Sequence, residues 1–340
     1  MVSNHNVRRS GSKKMCALLF CALLIAIALS VLLYIYSRTY AKANRIGLQL
    51  TKNAFNSIMY RTLPHLLGMS VSAIIIAVVS LSFQTITGSR LLVPSMIGFD
   101  SVFVFAQTVI VFILGAESKL FVNPYVNYSI TAGAMIAISM CMYGMVLRKR
   151  RNNIVFLLML GIILSGILRS SASYLQVIMD ANSYNQVRAA TAVTVNNMNV
   201  GSIYLVAPIM LVVVAIVICR HRTYDVLSLG VANAKNLGVA YEREVNFNLF
   251  LIAIGMSVST ALIGSLTFLG LLAVNIAREI FKTHKHLIIF IGSSLVAVFA
   301  LIFGQAVTEL LQGAVPLTVI IDFIGCAYMF YLILKVNKKS

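Results

Sequence analysis

Residues 64–86 read PHLLGMSVSAIIIAVVSLSFQTI, an apolar stretch without a single Asp, Glu, Lys or Arg. A helix of about 20 such residues crosses the roughly 30 Å of hydrocarbon in a bilayer. Comparable stretches recur along the whole chain, and short basic segments separate them. With 60% hydrophobic and only 11% charged residues, a chain of 340 residues has too little polar surface for a soluble domain. The pattern predicts an all-α polytopic membrane protein.

The hydropathy pattern predicts about ten transmembrane helices. They lie near residues 16–36, 64–86, 97–115, 127–147, 153–175, 202–219, 246–264, 266–281, 287–304 and 317–334. A short joint at Gly264 separates the seventh span from the eighth. The resulting domain organisation is a basic N-terminal segment at 1–15, a transmembrane domain at 16–336 and a tail at 337–340.

The positive charge predicts the orientation of the spans. A net charge of +18 would indicate nucleic-acid binding in a soluble protein. Here the Lys and Arg residues lie between spans, and the positive-inside rule places both termini in the cytoplasm. The first outer loop is an exception, because it carries Arg38, Lys42, Arg45 and Lys52, with Arg61 close behind. This outer basic cluster predicts either docking of an acidic protein or attraction to anionic lipid headgroups.

The sequence carries no motif for catalysis, metal binding or a cofactor. The five cysteines (Cys16, Cys21, Cys141, Cys219 and Cys326) lie in or beside spans without metal-ligand spacing. His65, His284 and His286 are interpreted as loop or interface residues. We find no phosphate-binding loop, no HExxH and no CxxC, so any ATP hydrolysis would need another chain. The first span also resembles a signal peptide ending near Ala41-Lys42-Ala43, although its apolar run of about 21 residues exceeds a signal core.

Two loops interrupt the helical pattern. The first joins spans two and three over residues 83–100, where Pro94 and Gly98 disfavour a continuous helix. The second is the longest inside loop, residues 220–244, and contains LGVANAKNLG at 229–238. Its two glycines predict one or two short helical turns between them. Such a loop suits docking into a groove on a partner protein, or it is an interfacial connector without a partner.

These loops and two later motifs occur in the order found in one transporter family. The motifs are Gln84, Arg90, Pro94 and Gly98; the coupling-type segment 229–238; GSLTFLGLL at 264–272 with IAR at 276–278; and Pro316 with Gly325. Over residues 16–336 the chain resembles FecCD-type permeases, the membrane subunits of ABC importers for iron-siderophores, haem and vitamin B12. It is most similar to the branch that serves catecholate siderophores such as petrobactin and anguibactin.

The sequence departs from the family pattern at four places. Leu91-Leu92 stands where Asn-Pro is usual, and Ala273-Val274-Asn275 stands where Pro-His often follows. Arg61 is followed by Thr-Leu-Pro-His instead of Leu-Pro-Arg, and Glu309 stands where some members carry an Arg. The last two departures concern the surface that would dock a binding protein.

The resemblance implies a type II ABC importer permease in a bacterial cell membrane, with spans two to five and seven to ten related as inverted repeats. It implies a second, related permease, so that a heterodimer is favoured over a homodimer. Further partners are two ABC ATPase subunits, an extracytoplasmic solute-binding protein and a ferric siderophore substrate. The residues that would couple to the ATPase are Leu229, Gly230, Ala232, Ala234, Leu237 and Gly238. Those that would dock the binding protein are Arg61, His65 and Glu309.

Polar residues inside spans are candidates for the translocation path, because charges in hydrocarbon are costly and usually face a cavity or a partner. The candidates are Arg169, Asp322 and Gln84. Arg169 alternatively extends to interfacial water, and Asp322 alternatively forms a structural pair. Asp100 is expected to be stabilised by the exposed amides at the start of the third span. Small residues such as Ser165 and Gly166 predict close helix packing, with a wide path as the alternative.

Two other functions remain open on the sequence alone. A secondary transporter would use membrane-embedded acids as ion sites, and Asp322 is the main candidate for one. A membrane scaffold for another enzyme would need no central polar cavity. The sequence therefore favours an importer permease that is not itself an enzyme, over these alternatives.

Overall fold

The computed structural model describes residues 3–46, 52–115, 118, 123–149, 154–193, 198 and 200–337. Within these ranges the chain forms thirteen α-helices and one short 3-10 helix, Pro94–Ile97, and it contains no β-strand. In chain order the α-helices are α1 (Ser3–Ile46), α2 (Lys52–Thr87), α3 (Phe99–Leu114), α4 (Pro124–Lys149), α5 (Ile154–Ile178), α6 (Ala181–Thr191), α7 (Val200–Cys219), α8 (His221–Leu227), α9 (Val231–Asn236), α10 (Tyr241–Ile263), α11 (Leu269–Phe281), α12 (His286–Leu310) and α13 (Leu317–Asn337).

The ten predicted spans coincide with ten of these helices, and the all-α membrane architecture is confirmed. The three additional helices, α6, α8 and α9, have 11, 7 and 6 residues. In the described part, six helices contain a segment long and apolar enough to cross a membrane. These segments are Met15–Thr39, Thr62–Thr87, Met159–Ile178, Gly201–Cys219, Tyr241–Ile263 and His286–Leu310.

Helix α2 lies at the centre of the bundle, and α1 and α5 lie at its periphery. The most apolar part of α2 is 78% buried, against 6% for α1 and 11% for α5. The buried side chains of α2 contribute both to a core shared with α3, α7 and α10 and to a core shared with α11, α12 and α13. The outward faces of α1 and α5 are therefore left for lipid or for another protein.

Two interruptions of the helical pattern lie between packed helices. We call residues 88–98 the first break and residues 264–268 the second break. Gly98 and Gly264 adopt φ of 111° and 98°, which a residue with a Cβ rarely adopts. The predicted joint at Gly264 is confirmed, but α11 has only 13 residues. Its length of about 20 Å is shorter than the hydrocarbon core, so the eighth span needs the second break to complete it.

Helix α6 was not anticipated from the sequence. Asp180 precedes it, and its Oδ2 accepts hydrogen bonds from the backbone N–H groups of Asn182 at 3.1 Å and Ser183 at 3.0 Å. These bonds satisfy donors that a helix start otherwise leaves free. Hydrogen bonds from the Ser183 hydroxyl and backbone hold the pKa of Asp180 below its usual range. The carboxylate therefore remains ionised and caps the helix at physiological pH.

Candidate functional site

The coupling segment, residues 229–238, forms one short helix between two glycines. Helix α9 covers Val231–Asn236, and Gly230 and Gly238 lie on either side of it with φ of 92° and 81°. Both turns favour glycine, because a Cβ is strained at these positive φ values. The prediction of short helical turns between the two glycines is confirmed.

The two alanines of the coupling segment face opposite ways. Ala234 is fully buried and belongs to the apolar core of its own chain, whereas Ala232 is exposed. Leu229, Val231 and Leu237 also expose large parts of their side chains, with 55% of Leu229 and 61% of Leu237 accessible. The exposed apolar side chains of the segment are therefore these four, and Ala234 anchors the segment to the bundle.

Helix α8, which precedes the coupling segment, is joined to α10 by polar side chains. Arg220 pairs with Glu244, and its guanidinium lies 4.8 Å from the ring centroid of Phe247. The Tyr224 hydroxyl donates a hydrogen bond to the side chain of Asn248. Burial raises the pKa of Tyr224 to about 12, so the phenol keeps its proton and remains a donor at physiological pH.

The first and second breaks meet inside the bundle. The Ser95 hydroxyl donates to the backbone carbonyl of Thr267 at 2.9 Å. The Thr267 hydroxyl in turn donates to the Asp100 carboxylate at 2.7 Å. Asp100 lies in the first turn of α3, as expected, but its partners are the side chains of Thr267 and Ser265 from the second break. Two segments that are far apart in the sequence thus form one polar contact.

Further contacts fix the first break against neighbouring helices. A Cβ added to Gly98 would lie 2.1 Å from the Ser165 Oγ of α5, so a larger residue would force that hydroxyl to move. On the other side, Asn275 of α11 donates from Nδ2 to the Arg90 carbonyl at 2.9 Å. Asn275 belongs to one of the departures from the family pattern, and its amide provides this hydrogen bond.

The three candidate path residues lie in different environments. Arg169 is exposed on α5. Gln84 is only 2% exposed, and its Nε2 and Oε1 atoms have no hydrogen-bond partner in the described part of the chain. Gln84 therefore faces the interior of the helix bundle, and its place on the path stays a prediction.

Asp322 and Arg169 lie near the contact between the two breaks. The half-buried Asp322 carboxylate accepts a hydrogen bond from the backbone N–H of Phe268 in the second break. Asp100 interacts electrostatically with both Arg169 and Asp322. The structure thus groups two acids and one arginine around the second break. Among the described residues, no set of three His, Cys, Asp or Glu side chains is arranged to hold a metal ion.

The candidate docking residues lie mostly inward in the described part of the chain. His65 is buried, with 7% of it exposed, and Glu309 is half-buried beside Tyr34. Arg38 of the outer basic cluster is also buried, and it donates to the Tyr34 hydroxyl at 2.6 Å. The side chain of Arg61 lies outside the described residues, so its docking role stays a prediction.

Sequence reasoning missed several residues that join these segments. Thr267 and Asn275 were seen only as parts of a motif, and Asp225 and His286 were given no joint role. No spacing signal marks any of them, because each has its partner on a helix remote in the sequence.

Broken helices inside an apolar bundle, with a short exposed helix between two of them, are typical of membrane transport proteins. The profile of the FecCD transport family matches residues 16–335. The chain belongs to this family, whose members are transport subunits and not enzymes. This confirms the resemblance that the motifs indicated.

The chain is similar to characterised permeases over most of its length. It is 39% identical over 265 residues to the petrobactin import system permease protein YclO of Bacillus subtilis strain 168, covering 78% of this chain and 84% of that protein. It is 29% identical over 237 residues to the petrobactin import system permease protein FatC of Bacillus anthracis, covering 70% and 67%.

The fold is also similar to a solved structure, described as an inward-facing conformation of a metal-chelate type ABC transporter. The TM-score is 0.77 at 19% sequence identity, and the match covers 95% of this chain and 99% of the other. At this identity the comparison supports the fold.

Proposed function

We propose that the chain is the membrane subunit of an ATP-driven ABC importer that moves a ferric siderophore into the bacterial cytoplasm. The observation that carries the proposal is the exposed apolar surface of the coupling segment, on a chain 39% identical to a petrobactin import permease. The proposed cargo is a catecholate chelate, because two relatives carry petrobactin in their names.

The coupling segment is the proposed contact with the ATPase subunits. Leu229, Ala232 and Leu237 form a small apolar surface on a helix held by two glycine turns. Such a surface suits insertion into a groove, where its burial stabilises the complex. ATP binding and hydrolysis in the partner would then move this segment.

The exposed face of α5 is the proposed wall of the translocation path. Its outer half exposes Arg169 next to Ser170 and Ser173, together with the apolar Tyr174 and Val177. Its other half exposes Met159 and Ile163. A cationic side chain among hydroxyls suits an anionic chelate, and lipid would not favour it. The path would form between this face and a second, related permease, and a heterodimer is the favoured assembly.

Both termini are proposed to lie in the cytoplasm, and Arg61 is proposed to dock the binding protein outside. Arg61 is then part of a basic surface that meets acidic side chains of that protein. Changing Arg61 to Glu should raise the binding-protein concentration needed for half-maximal ATPase stimulation, most clearly at low salt. An unchanged concentration at low salt would place docking elsewhere.

The decisive experiment reconstitutes the chain with its partner permease, ATPase and binding protein in vesicles. We expect accumulation of radioactive iron from a ferric catecholate only when ATP is on the cytoplasmic side, and weaker accumulation from a hydroxamate chelate. The alternative is an ion-gradient-coupled secondary transporter, for which buried acids such as Asp322 would bind the ion. Accumulation driven by a proton or sodium gradient without ATP would favour that alternative.

A further inference from the structure

One histidine ring joins three parts of the bundle. On α8, the Asp225 Oδ1 accepts hydrogen bonds from the His286 backbone N–H at 2.8 Å and from its Nδ1 at 2.7 Å. On the other side of the ring, Nε2 lies 3.1 Å from the Thr85 hydroxyl. His286 begins α12, and Thr85 lies in the last turn of α2. The start of α12, the end of α2 and the helix before the coupling segment therefore meet at one side chain.

The hydrogen-bond pattern orients the ring. The Thr85 hydroxyl donates to the Leu81 carbonyl at 2.8 Å, which leaves its oxygen to accept from Nε2. Asp225 accepts a hydrogen bond from Nδ1. If Nε2 also donates to the Thr85 oxygen, both ring nitrogens carry a proton. That arrangement would need the imidazolium, which burial of the ring disfavours even beside Asp225. A neutral ring keeps both contacts only if Thr85 turns its proton from Leu81 towards Nε2.

The surroundings strengthen these contacts. His286 is 5% exposed, and its ring centroid lies 6.2 Å from those of Tyr224 and Phe290. Buried hydrogen bonds act in a low dielectric, where an unpaired polar group is costly. Because Tyr224 also joins α8 to α10 through Asn248, helix α8 is held on two sides. A helix of seven residues has little stability alone, so these tertiary contacts decide its position.

We propose that Asp225, His286 and Thr85 form a positioning relay that carries movement of the coupling segment to the first break. Thr85 lies just before the first break begins, and that break contacts the second one through Ser95. A shift of α8 is thereby transmitted through one ring to the end of α2. The inference rests on the proposed function, because the relay has a role only if a partner moves the coupling segment.

The test measures the ATP hydrolysed per ferric chelate imported by the complete transporter in vesicles. His286→Ala and Thr85→Val should raise this ratio by about tenfold, within the range of coupling between distant sites. The ATPase subunits should still co-purify, since the exposed face of α9 is unchanged. Thr85→Ser keeps the hydroxyl, serves as the matched control and should keep the wild-type ratio.

Two conservative variants separate the halves of the relay. In His286→Asn the amide nitrogen reaches the position of Nδ1 and preserves the bond to Asp225. In His286→Gln it reaches the position of Nε2 and preserves the bond to Thr85. We expect each to raise the ratio less than His286→Ala does. These variants and Thr85→Val decide the question if His286→Ala does not accumulate in the membrane.

The outcomes distinguish the relay from the proposed function. Hydrolysis and import that fall together at an unchanged ratio would overturn the relay, and so would loss of ATPase co-purification in Thr85→Val. If the wild-type complex imports chelate with ATP and the variants show the same ATP-to-chelate ratio as wild type, the relay alone would be overturned. A wild-type complex that imports none with ATP would overturn both.

Discussion

Thr267 donates a hydrogen bond of 2.7 Å to Asp100, 167 positions earlier in the chain. The bond joins the second break to the start of α3, directly after the first break. The other carboxylate oxygen of Asp100 is buried and has no hydrogen-bond partner in the described part of the protein. The Asp100 carboxyl also interacts with the Ser265 side chain, so two residues of the second break hold it.

Replacing Thr267 with Val should destabilise the contact between the breaks. Valine has a similar shape but no donor, and loss of a hydrogen bond to a buried polar group costs about 1–3 kcal/mol. We expect a lower unfolding temperature of the purified chain in detergent, with Thr267→Ser close to wild type. Equal temperatures for Thr267→Val and Thr267→Ser would show that the hydrogen bond contributes little.

Replacing Gly98 with Ala should be more damaging than the same change at Gly88. Both glycines have positive φ, 111° and 63°, which cost an alanine roughly 1–2 kcal/mol. Only at Gly98 would the new Cβ also meet the Ser165 Oγ, at 2.1 Å, because nothing lies within 4 Å of a Cβ at Gly88. Thermal unfolding of both variants measures the difference, and equal destabilisation would contradict the close approach of α3 to α5.

The coupling segment predicts opposite outcomes for its two alanines. Ala232→Arg places a charge on the exposed face, so the protein should reach the membrane normally but lose ATPase co-purification and uptake. Ala234→Arg forces a charge into the core and should lower the amount of protein in the membrane. Membrane abundance, co-purification and iron uptake are the measurements. Normal uptake and co-purification in Ala232→Arg would remove the coupling assignment.

The proposed orientation predicts which ends of the bundle face the cytoplasm. Tyr184 on α6 and Arg222 on α8 are exposed, and α7 separates these two short helices along the chain. In a variant without native cysteines, Tyr184→Cys should react with an impermeant maleimide added outside intact cells. Arg222→Cys should react only after permeabilisation. The reverse pattern would invert the topology.

Local rules were enough to predict the ten membrane spans and their interruptions, although not helix α6. Span length follows from bilayer thickness, and the breaks at Gly98 and Gly264 follow from residues that resist a continuous helix. The turns at the two glycines around α9 were equally predictable, because a positive φ is favoured by glycine as a single residue. The family was predictable as well, since its motifs occur in order along the chain.

The sequence by itself thus determined where the ten predicted spans lie, where the helices break and that residues 229–238 form a short helix between two glycines. The tertiary structure alone decided that Ala234 faces inward, that Gln84 is buried and that His286 joins Asp225 to Thr85. In a membrane protein both lipid and the protein core accept apolar side chains, so hydropathy says little about which face of a helix is buried. Pairs such as Asp100 and Thr267 depend on how remote segments pack, and no local rule encodes that packing.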